Sequence, residues 1–366
     1  MILTAKVKLL PTPEQTELLK RTLETANTAC NYISEQAWEN KVFRQFSLHH
    51  LVYNAIRDRY ALSAQMTVRC ISKVSDAYKA GRKTIRKFDP LGAIAYDSRI
   101  LSFRFDKSEA NLWTVGGRQK IPFTCGKRQR ELLLGKWGES DLALISGSFY
   151  LFISCDIETP EPADVQDVLG IDLGIVHLAT DSDGEVFSGE QVEKNRRKFE
   201  HRRRNLQRKG TKSAKRKLKK LSGRQARFQS DTNHVISKQL VRKAQDTQRS
   251  IALEDLSGIR EAKVRRRQRS KHANWSFYQL RQYISYKAVL AGIPVILVDP
   301  RNTSRTCPVC GCIDKANRPS QAKFSCVSCG YSGPADTVAA RNIRARAAVS
   351  LPMVSNPSGS GTSHLL

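Results

Sequence analysis

The chain has 366 residues, 40% of them hydrophobic, with 62 Lys and Arg against 34 Asp and Glu, a formal net charge of +28. Such a length supports more than one folded core, and a clustered surplus of this size points to a polyanionic partner, nucleic acid before an anionic membrane. The opening MILTAKVKLLPTPEQ has no long apolar core before a small-residue cleavage site, and no apolar run approaches the ~20 residues of a membrane helix, so an intracellular protein is expected.

Residues 2–9 alternate like a strand. Thr12-Pro13-Glu14-Gln15 then reads as a helix start, with Thr12 as N-cap, Pro13 in the first turn and Gln15 closing a capping box. Leu19, Leu23, Ala26, Cys30, Ile33 and Ala37 follow at spacings of four and three, an amphipathic stripe. More helical pattern runs through 48–82 with Arg57, Arg59, Arg69, Lys73, Lys79 and Arg82. Short segments from ILSFRF to FYLFISC make 92–156 an antiparallel β region. The expected organisation is a strand (1–10), a helical insert (11–88) and the rest of a small β-barrel or sheet (89–160).

The Pro-rich, acidic stretch ETPEPADVQD marks a boundary. VLGIDLGIVHLATDSDGEVFSG reads as a three-stranded meander, 191–248 as strongly basic helix, QRSIALEDL and IPVILVDP as buried strands. NWSFYQLRQYISYKAVLAG and GPADTVAARNIRARAAV read as helices, and the Ser-, Gly- and Pro-rich 350–366 as a disordered tail. An α/β domain therefore occupies 161–303 and 333–349, interrupted at 304–332.

That interruption holds Cys307-x₂-Cys310 and Cys326-x₂-Cys329, with Gly311 and Gly330 as turn residues behind each pair. Four thiolates at this spacing make a closed tetrahedral site for one structural Zn²⁺, with no open position for catalysis. Cys312 falls outside the register, and Cys30, Cys70, Cys125 and Cys155 are expected as buried small hydrophobes.

Asp172 sits in an apolar run, where an ionised carboxylate is costly unless paired or metal-bound. Glu254 ends the strand SIALE; alternation sends Asp255 to the opposite face. Asp336 opens the last helix, an ordinary capping position by itself that gains weight from the other two acids. Carboxylates converging from two strand ends and a helix start would suit two Mg²⁺ ions, hard cations that take oxygen ligands and hydrolyse phosphodiesters. Asp299 reads as a turn residue, and Asp181 and Asp183 as hairpin residues. The basic runs 194–227 and 263–272 suit phosphate contact. Trp275, Phe277 and Tyr278 suit either base stacking or core packing.

The order GIDLG, ALEDL, Cys-x₂-Cys…Cys-x₂-Cys, ADTVAARNI resembles TnpB, the transposon-encoded RNA-guided nucleases related to type V CRISPR effectors. VKLLPTPEQTELLKRTLETANTACNYISE, QMTVRCISKVSDAYK, AIAYDSRILSF and KIPFTCGKRQRELL are similar to the family's first half, so the resemblance covers nearly the whole chain. It implies an RNase H-like RuvC domain with an inserted zinc ribbon, preceded by a small β-barrel (wedge) domain with a helical recognition insert. It implies Asp172, Glu254 and Asp336 as catalytic Mg²⁺ ligands, with Arg341 and Asn342 matching family positions near the site. The implied partners are a guide RNA from the transposon end and double-stranded target DNA beside a short flanking motif. The protein is expected to be monomeric in that complex, cytoplasmic in a prokaryote and on the nucleoid when bound to DNA. Three rivals stand beside this reading: an RNA-guided repressor that does not cut, a zinc-ribbon DNA-binding protein without RNA, and a transposase acting on its own element's ends. The repressor is expected to have lost an acid, and none is missing here.

Overall fold

The structure, a computed structural model, describes residues 1–255 and 277–349. The basic run 263–272, Trp275 and the tail 350–366 lie outside the described residues. The chain divides into two compact units, Met1–Glu158 and Thr159–Leu366.

The first unit is an antiparallel sheet with helices. Its elements are β1 (Ile2–Leu9), α1 (Pro13–Glu39), α2 (Gln45–Tyr60), α3 (Ala64–Lys79), β2 (Ile94–Tyr96), β3 (Leu101–Arg104), β4 (Glu109–Thr114), β5 (Gly117–Thr124), α4 (Lys127–Leu134), β6 (Lys136–Ile145) and β7 (Ser148–Asp156). The strands run in the order β2-β6-β7-β1-β5-β4-β3. The expected capping box is present: the Gln15 backbone N–H donates to Thr12 Oγ1 (3.3 Å), and the Thr12 N–H to Gln15 Oε1 (3.2 Å). All six residues of the predicted stripe on α1 are fully buried, in one core with the inward residues of the sheet. Cys30, Cys70 and Cys155 are buried there as expected; Cys125, just past the end of β5, is partly exposed. The short helix α4 interrupts the β region; its Lys127-Arg128-Gln129-Arg130 start gave no apolar periodicity to read.

The second unit is built on a mixed sheet. Its elements are β8 (Asp167–Asp172), β9 (His177–Asp181), β10 (Val186–Ser188), α5 (Glu190–Lys209), α6 (Lys212–Asp246), β11 (Arg249–Glu254), α7 (Phe277–Leu290), β12 (Val295–Val298), β13 (Lys323–Ser325), β14 (Ser332–Pro334) and α8 (Ala335–Val349). Five strands run in the order β10-β9-β8-β11-β12, with β8, β11 and β12 parallel and the hairpin antiparallel. Alternation divides the sheet into two faces. Leu169, Ile171, Ile251 and Leu253 pack on Leu240 of α6 and on Leu280 and Ile284 of α7. Val168, Ala252 and Val298 pack on Ile343 and Ala347 of α8.

Two local features fix this unit. Gly170 lies directly under α8, where a Cβ would fall on the Ala340 carbonyl oxygen and 2.6 Å from the Arg344 backbone nitrogen. Only glycine permits that approach. At the β9–β10 hairpin, the fully buried Asp181 takes the backbone N–H groups of Asp183 and Glu185 (3.0 and 2.9 Å) and the Lys243 ammonium. Arg249 grips Asp183 with both terminal nitrogens, at 2.9 and 2.7 Å. These pairs tie the hairpin to α6 and β11, and they account for Asp181 and Asp183 as structural acids.

Gly170→Ala is expected to cost about 2–3 kcal/mol of stability through overpacking against backbone, read as a lowered denaturant midpoint. Lys243→Ala is expected to cost about 3–5 kcal/mol by stranding a buried carboxylate. Arg242→Ala, which breaks an exposed pair with Asp246, is expected to cost no more than about 0.5 kcal/mol. Equal losses for the two α6 variants would refute a buried role for Lys243.

Candidate carboxylate site and four-cysteine centre

Asp172 is the last residue of β8 and Glu254 the last of β11, one step beyond the paired Ile171 and Leu253 of these parallel neighbours. Adjacent strands lie ~4.8 Å apart, so both carboxylates leave the sheet side by side. Their parity is that of Val168 and Ala252, which sets them on the α8 face. Asp336 arrives from the first turn of α8. The predicted element ends thus come together. Asp255 turns the other way, to Arg281 of α7 at 2.9 Å, and Asp299 accepts the Arg301 backbone N–H in a turn.

The other two carboxylates load Asp172 electrically. Burial pushes the Asp172 carboxyl up to about 7, with Glu254 and then Asp336 adding to the rise and Arg318 opposing it. Burial also raises Glu254, against the hydrogen bond from the Thr303 hydroxyl. A half-buried carboxyl raised by burial and by neighbouring acids is the ordinary signature of a functional or cation-binding site.

Three neighbours escaped the sequence reading. Thr303, 3% exposed, donates to Glu254 Oε1. His177 Nδ1 lies 2.8 Å from Asp336 Oδ2. Arg318, from the segment between the two cysteine pairs, reaches Asp336 Oδ1 at 3.5 Å. The only sequence signal for them was position: His177 follows the GIDLG turn, and Thr303 precedes the first cysteine pair. Arg341 and Asn342 brace this surround. Asn342 Nδ2 donates to the carbonyls of Thr303 and Thr306, both at 2.7 Å, holding the loop that carries Thr303. Arg341 joins Tyr331 Oη at 3.1 Å and the Ser182 carbonyl at 3.5 Å.

The four cysteines Cys307, Cys310, Cys326 and Cys329 place their sulfurs within 4.8 Å of one another. Among the described residues this is the one group of three or more His, Cys, Asp or Glu drawn so close, so the three carboxylates are not gathered to that degree. The contacts Cys307–Cys329 at 3.6 Å and Cys310–Cys326 at 3.5 Å are far beyond a disulfide. They match the ~3.8 Å edge of a tetrahedron of ~2.3 Å Zn–S bonds. The backbone N–H of Cys329 pulls the Cys326 thiol down to about 6, favouring its thiolate, while hydrogen bonds with the neighbouring thiols push Cys329 up to about 12. Phe324 of β13 lies beneath this centre and packs on Ala335 and Val338 of α8, on both sides of Asp336. The cysteine centre therefore buttresses the helix start that carries the third acid.

The basic run forms α5 and α6, with no buried side chain on α5. Glu193 and Glu200 pair with Arg196, Arg197 and Arg204, leaving the rest of the run as a cationic surface. Tyr278 is 54% exposed.

Comparison with known proteins bears on both units. A family model described as "Probable transposase" matches 152–259, and one described as "Cas12f1-like, TNB domain" matches 277–343. The chain is 29% identical over 344 residues to the CRISPR-associated endodeoxyribonuclease Cas12f1 of Sulfoacidibacillus thermotolerans, covering 81% of this chain and 80% of the relative. In fold it is similar to Cas12f1 in a cryo-EM complex with sgRNA and target DNA, with a TM-score of 0.62 at 15% identity, over 91% of this chain and 83% of that one. It is 33% identical over 195 residues to a TnpB-like protein of Methanocaldococcus jannaschii, covering 50% of this chain and 69% of the relative. With a third of the aligned residues shared over more than two thirds of that relative, this chain belongs to the TnpB family.

Proposed function

We propose that this protein is an RNA-guided DNA endonuclease that hydrolyses target phosphodiesters at Asp172, Glu254 and Asp336. The observation that carries the reading is the convergence of three carboxylates from two strand ends and a helix start, with Asp172 pushed up to about 7. Relatives named as endodeoxyribonuclease and TnpB-like support it, as does a +28 charge suited to holding both RNA and DNA.

In this reading the second unit is an RNase H-like RuvC domain in two parts, 161–303 and 333–349, with the zinc ribbon at 304–332 between them. The first unit is the wedge domain, 1–10 and 89–160, carrying a helical recognition insert at 11–88. The guide RNA comes from the transposon end, and one protein chain holds it against double-stranded DNA in a prokaryotic cytoplasm. One Zn²⁺ on Cys307, Cys310, Cys326 and Cys329 keeps the ribbon folded.

The carboxylates fit Mg²⁺: all donors are oxygen, and their mutual repulsion is what a divalent cation relieves. Two Mg²⁺ held by Asp172, Glu254 and Asp336 would supply an activated water and charge stabilisation at the leaving oxygen. The chain's own residues set the stage. Thr303 aims Glu254, His177 and Arg318 steer Asp336, and the apolar sheet floor excludes bulk water beneath Asp172. The full set of acids favours cutting over an RNA-guided repressor. Strand transfer is not needed to explain the site, which sets the reading apart from a self-acting transposase.

Asp172→Asn is expected to abolish cleavage of guide-matched DNA while RNA and target binding stay within about twofold. Relieved of repulsion, the metal-free variant should melt roughly 2–4 °C higher. Collapse of binding together with a lower Tm would make the acid structural and sink the proposal. Cys310→Ser, or zinc removal by a chelator, is expected to release one Zn²⁺ per chain and to cut cleavage at least about tenfold. Full activity in a verified zinc-free protein would contradict the buttressing of Asp336.

A further inference from the structure

We propose that Thr180 is a positioning residue of the carboxylate site, its hydroxyl set to orient the Asp172 carboxylate toward a divalent cation that the acids would hold. The inference rests on the reading of the acids as cation ligands, and it goes beyond the residues that reading uses.

Thr180 lies on β9, directly opposite Asp172 on β8. Residues paired across an antiparallel ladder project to the same face, with Cβ atoms ~4.5–5.5 Å apart. The next pair, Ile171 and Asp181, points to the other face, where Asp181 meets Lys243. Thr180 therefore shares the α8 face with the acids. It is 1% exposed, and its Oγ1 has no hydrogen-bond partner in the protein. Among the described residues the only other buried side-chain polar atom in that condition is Arg86 Nε, in the first unit. One step further along the same face, Ser182 Oγ is satisfied by the Gly170 backbone N–H at 3.3 Å. The orphan is confined to the level of Asp172.

A buried hydroxyl without a partner is costly, and valine would fill the same volume in a strand without that cost. A hydroxyl offers one donor and two acceptor positions. Facing a carboxylate at cross-strand distance, it can donate toward Asp172 and accept from a water polarised by a divalent cation. A group in that role orients a ligand it does not replace, and outer-shell partners of this kind change metal affinity by ~10–100-fold.

The test is a Mn²⁺ titration of the full, zinc-loaded chain, with bound ion read by electron paramagnetic resonance and Tm measured on the same samples. Mn²⁺ prefers the same oxygen donors and is visible spectroscopically. Thr180→Val is expected to raise half-saturating Mn²⁺ about tenfold with Tm unchanged or higher. Thr180→Ser, which restores the hydroxyl, is expected to return affinity to within about threefold of the parent, and Asp172→Asn to lose the site. In cleavage assays Thr180→Val should shift the Mg²⁺ half-saturation by the same factor and leave the rate at saturating Mg²⁺ within about threefold. Unchanged Mn²⁺ affinity in Thr180→Val, with Asp172→Asn still losing the site, overturns the inference alone. Unchanged affinity in Asp172→Asn overturns the reading of the acids and the inference with it. A lower Tm without a change in affinity assigns Thr180 to packing, with Thr180→Ser separating that outcome from misfolding.

Discussion

Holding three carboxylates at one end of a sheet works against their own repulsion, and the surroundings of Asp172, Glu254 and Asp336 are arranged to sustain it. Burial and proximity push Asp172 up to about 7. The opposition comes from single contacts on separate elements: Thr303 on Glu254, His177 and Arg318 on Asp336. Each contact lowers the local cost without cancelling the field of the three acids. Stability given up at this point is recovered in the two apolar faces of the sheet and in the ion cluster of the hairpin.

The geometry depends on one close approach. α8 crosses β8 at Gly170, and its small Ala339 and Ala340 let the helix lie close to the strand. The helix start is thereby set beside the strand end, and Asp336 beside Asp172. From the other side Phe324 presses on Ala335 and Val338. Asn342 fixes the loop that presents Thr303 to Glu254. A residue of α8 thus braces an acid on β11 through a loop, so the three acids are coupled by packing as well as by charge.

Local patterns were legible in the sequence; contacts across the chain were not. Thr12 and Gln15 are three residues apart, so their reciprocal bonds could be read from spacing. The stripe from Leu19 to Ala37 follows the helical repeat. The Cys-x₂-Cys pairs carry their geometry in their spacing. The strand ends at Asp172 and Glu254 followed from the apolar runs that they terminate, the helix start at Asp336 from the helical pattern that it opens, and strand alternation separated Glu254 from Asp255. Thr303, His177 and Arg318 meet their acids across 49, 159 and 18 residues, and no local period marks such pairs. The expectation for Cys125 failed for a related reason: it lies just past the end of β5, where the alternation that buries Phe123 no longer holds. The hidden hydroxyl of Thr180 is visible only once β9 is laid against β8.

The insertion of the cysteine centre between β12 and α8 has a consequence for synthesis. The first two acids leave the ribosome well before the third, which follows the cysteine segment that packs against its helix. The basic helices α5 and α6, which suit the sugar–phosphate chain of a nucleic acid, are complete much earlier. On the proposed reading of the acids and the basic helices, the order of residues gives the nascent protein an interval in which it can collect an RNA while unable to cut. On that reading the cleavage site is complete only once translation has passed α8.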